Sequence, residues 1–145
     1  MRDLHIRTMR KNDADQILEI DKRITGKKRG EFWLTRVAYG IARDPKASLV
    51  AEADGKIVGF ILCDIRGGGF APEEDGWIEI VGVDPEYQGK GVGKLLCEDV
   101  LKHFKEKGIG RVRINFSWDS IDIASLMKSL GFAKSSLITL EKNLT

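Results

Sequence analysis

The stretch that most limits what this chain can become runs from Trp77 to Lys107. An apolar run, Trp77 to Val83, leads into Asp84-Pro85-Glu86-Tyr87-Gln88-Gly89-Lys90-Gly91-Val92-Gly93-Lys94. Behind it, Leu95, Leu96, Val100, Leu101 and Phe104 recur at helical spacing. The hydrophobic period therefore changes across one glycine-rich turn, which joins a strand to a helix from Val92 to Lys107. Three glycines stand within the five residues from Gly89 to Gly93. With so little side-chain bulk, a ligand can approach the backbone closely. The first N–H groups of a helix have no partner inside it and lie at the positive end of its dipole, where phosphate is favoured. Lys90 and Lys94 add charge nearby, so the turn suits a diphosphate. It is not a nucleoside-triphosphate loop, because Gly93-Lys94 is followed by Leu95 rather than Ser or Thr. Nor does it have G-x-G-x-x-G dinucleotide spacing, because Gly89, Gly91 and Gly93 alternate. The plain structural alternative is a glycine connector that caps a helix.

Around this turn the chain alternates strands and helices. Leu4 to Met9 alternates as a half-buried strand. Asn12 and Asp13 can cap a helix whose apolar stripe is Ile17, Leu18, Ile20 and Ile24, and Gly26 ends it. After the basic connector Lys27-Lys28-Arg29-Gly30, the residues Phe32, Trp33, Val37, Ala38 and Ile41 predict a second helix that stops at Asp44-Pro45. Ser48 to Ala53 and Lys56 to Arg66 are apolar runs joined by Asp54-Gly55, a hairpin signal. Gly67 to Asp75 reads as a loop and Trp77 to Val83 as a strand, with Gly82 a bulge or close-approach point. Gly108 and Gly110 stop the helix after the glycine turn. Arg111 to Phe116 then predicts a strand, Ile121 to Leu130 a helix and Phe132 to Lys142 a last strand. With no repeat or linker, residues 1–145 read as a single α/β domain with a mixed sheet.

Composition excludes several function classes. Apolar residues make up 42% and charged residues 32%, which is the balance of a globular chain. A formal net charge of +2 gives no long-range attraction to nucleic acid, and no aromatic base-stacking motif is present. Cys63 and Cys97 are the only cysteines; without metal spacing they read as buried thiols of a cytoplasmic protein. The start, Met1-Arg2-Asp3-Leu4, does not read as a secretion signal, and no run is long enough to span a bilayer, so neither membrane nor metal is expected.

Gln88-x-x-Gly91-x-Gly93, preceded by Val83-x-Pro85, resembles the signature of the GNAT superfamily of N-acetyltransferases. Leu130-Gly131-Phe132 resembles that family's leucine-glycine-phenylalanine near the end of its last helix. The order of elements is similar over nearly the whole chain. The resemblance implies a GNAT-like mixed, mostly antiparallel twisted sheet flanked by helices, with acetyl-coenzyme A as acyl donor and an amine as acceptor. By the same resemblance, the backbone of Gln88, Gly89, Lys90, Gly91, Val92, Gly93 and Lys94 holds the coenzyme A diphosphate. Val81, Gly82 and Val83 lie along the pantetheine arm, with the thioester carbonyl near them.

Amine acetylation needs a free amine, a donor for the developing oxyanion and a proton for the leaving thiolate. Glu79 is the base candidate. It lies on the signature strand at period two from Trp77 and Val81, among apolar neighbours, where a carboxylate can take a proton directly or through water. A solvated charge, or one paired with Arg111 or Arg113, is the alternative. The family's usual acid does not carry over, because the position of its tyrosine, five residues before the phenylalanine, is Met127, which cannot donate a proton but can pack against the pantetheine arm as a cofactor-binding residue. A glutamate that some members carry falls at Asn115. The family's asparagine at the start of the last helix falls at Ser120, whose hydroxyl can cap that helix or touch the pantetheine arm. Tyr87 reads as a packing residue. Family resemblance places the acceptor beside the first two helices, where Lys27-Lys28-Arg29, Phe32 and Trp33 stand, with Gly67 to Asp75 as a lid and Trp118-Asp119 at the edge. A non-catalytic acyl-CoA sensor of the same fold is the second reading, and a homodimer is compatible with either.

Overall fold

The N-terminal alternation forms β1 (His5–Thr8). A short 3-10 turn at Lys11–Asp13 leads into α1 (Ala14–Thr25), whose buried stripe includes Ile17 and Ile20. Asp13 does not cap α1 with its side chain. Its carboxylate instead accepts from Arg10 N at 2.7 Å and from both terminal nitrogens of Arg7 at 2.8 Å. Gly26 ends α1 at φ 75°, its N–H returning to Lys22 O at 2.8 Å. Next comes α2 (Gly30–Arg43), which stops before Pro45 as expected. β2 (Ser48–Ala53) and β3 (Lys56–Gly68) are joined by Asp54 and Gly55 at φ 53° and 75°, two positive values that fit a tight hairpin. β4 (Ala71–Val83) is followed by α3 (Val92–Glu106), β5 (Val112–Ile114) and α4 (Ile121–Ser129). The computed structural model describes residues 1–68, 71–117 and 119–145. Met1–Asn115 form one unit and Phe116–Thr145 a second.

The sheet runs in the order β1-β2-β3-β4-β5, antiparallel throughout except for a parallel β4–β5 pair, so the expected mixed, mostly antiparallel sheet is present. Two expectations are corrected. Gly67 to Asp75 is not a loop, because β3 continues to Gly68 and β4 begins at Ala71; cross-strand pairing of Asp64 to Gly67 with Glu74 to Trp77 overrides the turn-like composition. Gly69 and Phe70 of the expected lid lie outside the described residues, as does Trp118. Phe132 to Lys142 forms no strand either, and that segment stays exposed beyond Phe132.

One face of the sheet is covered by α1 and α2. Trp33, fully buried, meets the Phe60 ring edge-on at 5.0 Å between centroids, and Ile17, Ile20, Val37, Val50 and Leu62 pack with them. Packing of α3 covers the other face, where a Cβ on Gly59 would lie 2.9 Å from Val92 and 3.2 Å from Leu96. That close approach fixes the first turn of α3 against β3. Cys63 and Cys97 are buried thiols, both pushed up by desolvation, Cys97 to about 12.

Buried carboxylates bind the layers together. Asp21 accepts from Arg29 at 2.5 and 3.0 Å, and Asp44 accepts from His103 and Lys107 at 2.9 and 3.3 Å. Burial alone would push the carboxyls of Asp13, Asp21 and Asp44 up. Their cationic partners outweigh it and hold all three below the ordinary 3.8. A depressed folded value gives stability that is complete above the unfolded value and lost as pH falls through the folded one. Thermal melts followed by circular dichroism are therefore expected to shift down steadily between about pH 5 and pH 2. Asp21→Asn, which weakens the bond to the partly exposed Arg29, is expected to cost about 1–3 kcal/mol at neutral pH. A melting temperature flat across the acid range would show that these pairs contribute nothing.

Candidate active site

β4 changes partners along its length. Gly76, Trp77 and Ile78 pair with Val112, Arg113 and Ile114 of β5, and the parallel ladder ends there. Among the described residues, the strand from Glu79 to Val83 pairs with β3 on one side only. Its other edge presents main-chain donors and acceptors to whatever occupies the opening, a place where an extended chain of atoms with amides can pair as a strand would. The change coincides with a bulge. Cys63 pairs with Ile78 and Leu62 with Ile80, so Glu79 is the extra residue.

The bulge re-aims the side chains. Period-two alternation predicts that Glu79 shares a face with Val81. Instead Glu79 reaches Arg36 of α2, while Ile80 packs against the core under α1 and α2. Glu79 also accepts from Arg66 Nη2 at 3.0 Å. Its side chain is 15% exposed, so it is neither solvated nor in an apolar pocket, and it pairs with Arg36 and Arg66. Arg113 bonds Asp75 at 2.9 Å. The Arg36 guanidinium lies 5.4 Å from the Tyr39 ring centroid, and the Tyr39 hydroxyl donates to Asp64 at 3.2 Å. Arg66 lies 4.9 Å from the Trp77 ring. Sequence reasoning missed Arg36 and Arg66. The available signal was that Arg36 stands three residues after Trp33 and beside Val37, at the border of the buried stripe.

Gly82 is confirmed as a close-approach point. A Cβ there would stand 2.6 Å from the Phe60 ring and 3.4 Å from Ile24 of α1. Beyond Val83, Asp84 organises the turn. Its backbone N–H donates to Val58 O at 2.8 Å, and its carboxylate accepts from Glu86 N at 3.0 Å and Arg23 Nη1 at 2.6 Å. Tyr87 is buried, its hydroxyl donating to Asp54 at 2.9 Å, which confirms a packing role. The Gln88 side chain donates to Val83 O at 3.2 Å. Gly89 and Gly91 take φ 76° and 84°, values side chains disfavour, and Gly91 is the N-cap of α3. The first i to i−4 bond of the helix runs from Leu95 N to Gly91 O at 3.1 Å. The N–H groups of Val92, Gly93 and Lys94 therefore have no intrahelical acceptor. The first turn of α3 carries no acidic residue, while Lys90 and Lys94 are exposed. An open glycine cradle with free donors and uncompensated positive charge fits a diphosphate.

In the second unit, Ser120 precedes α4, but its hydroxyl makes no cap; the first helical bond is Ala124 N to Ser120 O at 3.0 Å. Met127 is buried on that helix. Among the described residues, no helix is long and apolar enough to cross a membrane.

Residues 14–132 match the Acetyltransferase (GNAT) family, in the order of elements just described. The chain is a GNAT family member. Among solved GNAT-like structures, an aminoglycoside N-acetyltransferase in complex with CoA superposes with a TM-score of 0.84 at 22% identity, over 100% of this chain and 97% of that one. A Trypanosoma brucei acetyltransferase superposes with a TM-score of 0.72 at 28% identity, over 97% and 100%. A curated relative, an uncharacterized N-acetyltransferase of Methanocaldococcus jannaschii, is 28% identical over 142 residues, which are 92% of this GNAT chain and 62% of the relative. The mycothiol acetyltransferase of Cellulomonas flavigena is 32% identical over 99 residues, 65% of this chain and 28% of that one. The chain thus spans between about a quarter and two thirds of the length of these curated relatives.

Proposed function

We propose that the chain is an acetyl-CoA-dependent N-acetyltransferase that acts on a small amine, an amino acid, or a protein lysine or N-terminus. The observation that carries this reading is the coincidence of the glycine cradle at Gly89 to Lys94 with the open edge of β4 from Glu79 to Val83. One site offers anion donors and, beside them, a main-chain slot for an amide-bearing arm. The family match, residues 14–132, includes residues of both units.

The bound donor supplies an activated thioester carbonyl. The turn from Gln88 to Lys94 holds the diphosphate, and Val81 to Val83 orient the pantetheine arm through the backbone. A main-chain N–H on the open edge of β4 is the donor for the carbonyl oxygen as charge develops on it. Glu79 takes up the amine proton through water, with Arg36 and Arg66 fixing its carboxylate. Methionine has no proton to give, so the leaving thiolate takes its proton from water rather than from Met127.

Release of free thiol from acetyl-CoA, measured against a panel of amines, is the test. Turnover with at least one amine class is expected. Acetyl-CoA binding by calorimetry with no thiol release across the panel would favour the non-catalytic acyl-CoA sensor instead.

A further inference from the structure

Asp21 pairs with one guanidinium, that of Arg29, and Asp84 with one, that of Arg23. Glu79 pairs with two, those of Arg36 and Arg66, and one carboxylate cannot neutralise both. The same face carries a third. Arg36, Tyr39 and Arg43 stand at i, i+3 and i+7 of α2 and so share one side of that helix. Arg43 lies 3.5 Å from Asp64, with 53% of its side chain exposed. Across these five groups, Arg36, Arg43 and Arg66 face Glu79 and Asp64, which leaves one positive charge over.

Aromatic rings support these cations. Arg36 and Arg43 lie 5.4 and 5.9 Å from the Tyr39 ring centroid, and Arg66 lies 4.9 Å from that of Trp77. An aromatic face steadies a guanidinium while its edge still offers N–H groups to an oxyanion. A guanidinium has five N–H donors, and Arg66 donates to Glu79 through Nη2. The Arg66 side chain is 48% exposed, so a small solute can reach it.

We propose that this cluster selects the acceptor: an amine that carries an oxyanion, carboxylate or phosphate, a few bonds from its nitrogen. The inference rests on the acetyltransferase reading, with Glu79 as base. Arg66 binds the oxyanion through its remaining N–H groups, and Arg43 adds attraction from the same face. Because Arg66 also holds Glu79, the oxyanion lies beside the base, and a short linker brings the amine to it. A polycationic amine meets the surplus positive charge and is disfavoured.

Thiol release from acetyl-CoA, measured with β-alanine, O-phosphoethanolamine, ethanolamine and putrescine, tests this. The kcat/KM of at least one anionic amine is expected to exceed that of ethanolamine by about tenfold or more, with putrescine lowest. The better of the two anionic amines shows which oxyanion fits. Arg66→Gln should cut the anionic preference to within about threefold. Lost positioning of Glu79 would instead lower kcat alike for every amine and leave their ratios unchanged. Arg43→Gln, at an exposed side chain, repeats the test with a smaller drop should Arg66→Gln fail to fold. Fastest turnover of ethanolamine or putrescine overturns the proposal and leaves the acetyltransferase reading standing. So does an anionic preference that survives both variants. If no amine releases thiol, calorimetry with coenzyme A bound decides. Binding of β-alanine or O-phosphoethanolamine that weakens about tenfold or more in Arg66→Gln supports the oxyanion site and counts against acetyl transfer. Absence of such binding overturns the proposal.

Discussion

Glu79→Gln is expected to lower turnover by about 10²- to 10⁴-fold at neutral pH, the usual effect of removing a general base. Coenzyme A affinity should change little, because the carboxamide keeps the volume and one acceptor oxygen for Arg66 or Arg36. The pH profile separates chemistry from positioning. A base is needed only while the acceptor is an ammonium, so the deficit should shrink as pH rises and free amine accumulates. A deficit equally deep at high pH would assign Glu79 to positioning through its two arginine contacts. Wild-type turnover at neutral pH in the variant would leave Glu79 as an ion-pair partner and nothing more.

Gly91→Asp should produce the largest loss of donor binding. Gly91 sits at φ 84°, and a Cβ built there meets nothing within 4 Å, so packing is not the obstacle. Backbone conformation and charge are. Asparagine and aspartate visit this region at modest cost, so Gly91→Asn measures the conformational part alone. The carboxylate adds repulsion of about 1 kcal/mol in water to about 4 kcal/mol near a protein surface for unit charges about 4 Å apart. Calorimetry with coenzyme A should therefore show a loss on the order of 10- to 10³-fold for Gly91→Asp beyond that of Gly91→Asn. Equal affinities in folded Gly91→Asp and wild type would remove the turn from the donor site.

The elements that local chemistry decides were legible in the sequence. Gly26, Pro45, the Asp54-Gly55 pair and the Gly89 to Gly93 turn each mark a boundary through backbone conformation, and each boundary lies where its residues predict. The elements that tertiary pairing decides were not. Glu73, Glu74 and Asp75 look like loop residues, yet β3 recruits them into β4. Phe132 to Lys142 looks like a strand and is not one. The bulge at Glu79 has no signal of its own, because strict alternation reads through it; the ion pairs with Arg36 and Arg66 follow from that bulge and were invisible with it. The glycine cradle could be read because it depends on glycines and on the order strand, turn, helix. Glu79's surroundings could not, since they combine α2, β3 and β4.

The open edge of β4 has a consequence for how such a chain can change over generations. Under the proposed function, a donor held by main-chain groups and by the absence of side chains asks for little sequence: small residues at Gly82, Gly89 and Gly91, and a helix start free of acid. Glu79 apart, the side chains that project from the same strand are under no such constraint. Donor choice and acceptor choice are thus written in separable alphabets, one of backbone and one of side chains. Under the proposed function, drift among side chains that hold neither the donor nor Glu79 can retarget the acceptor while the donor stays the same.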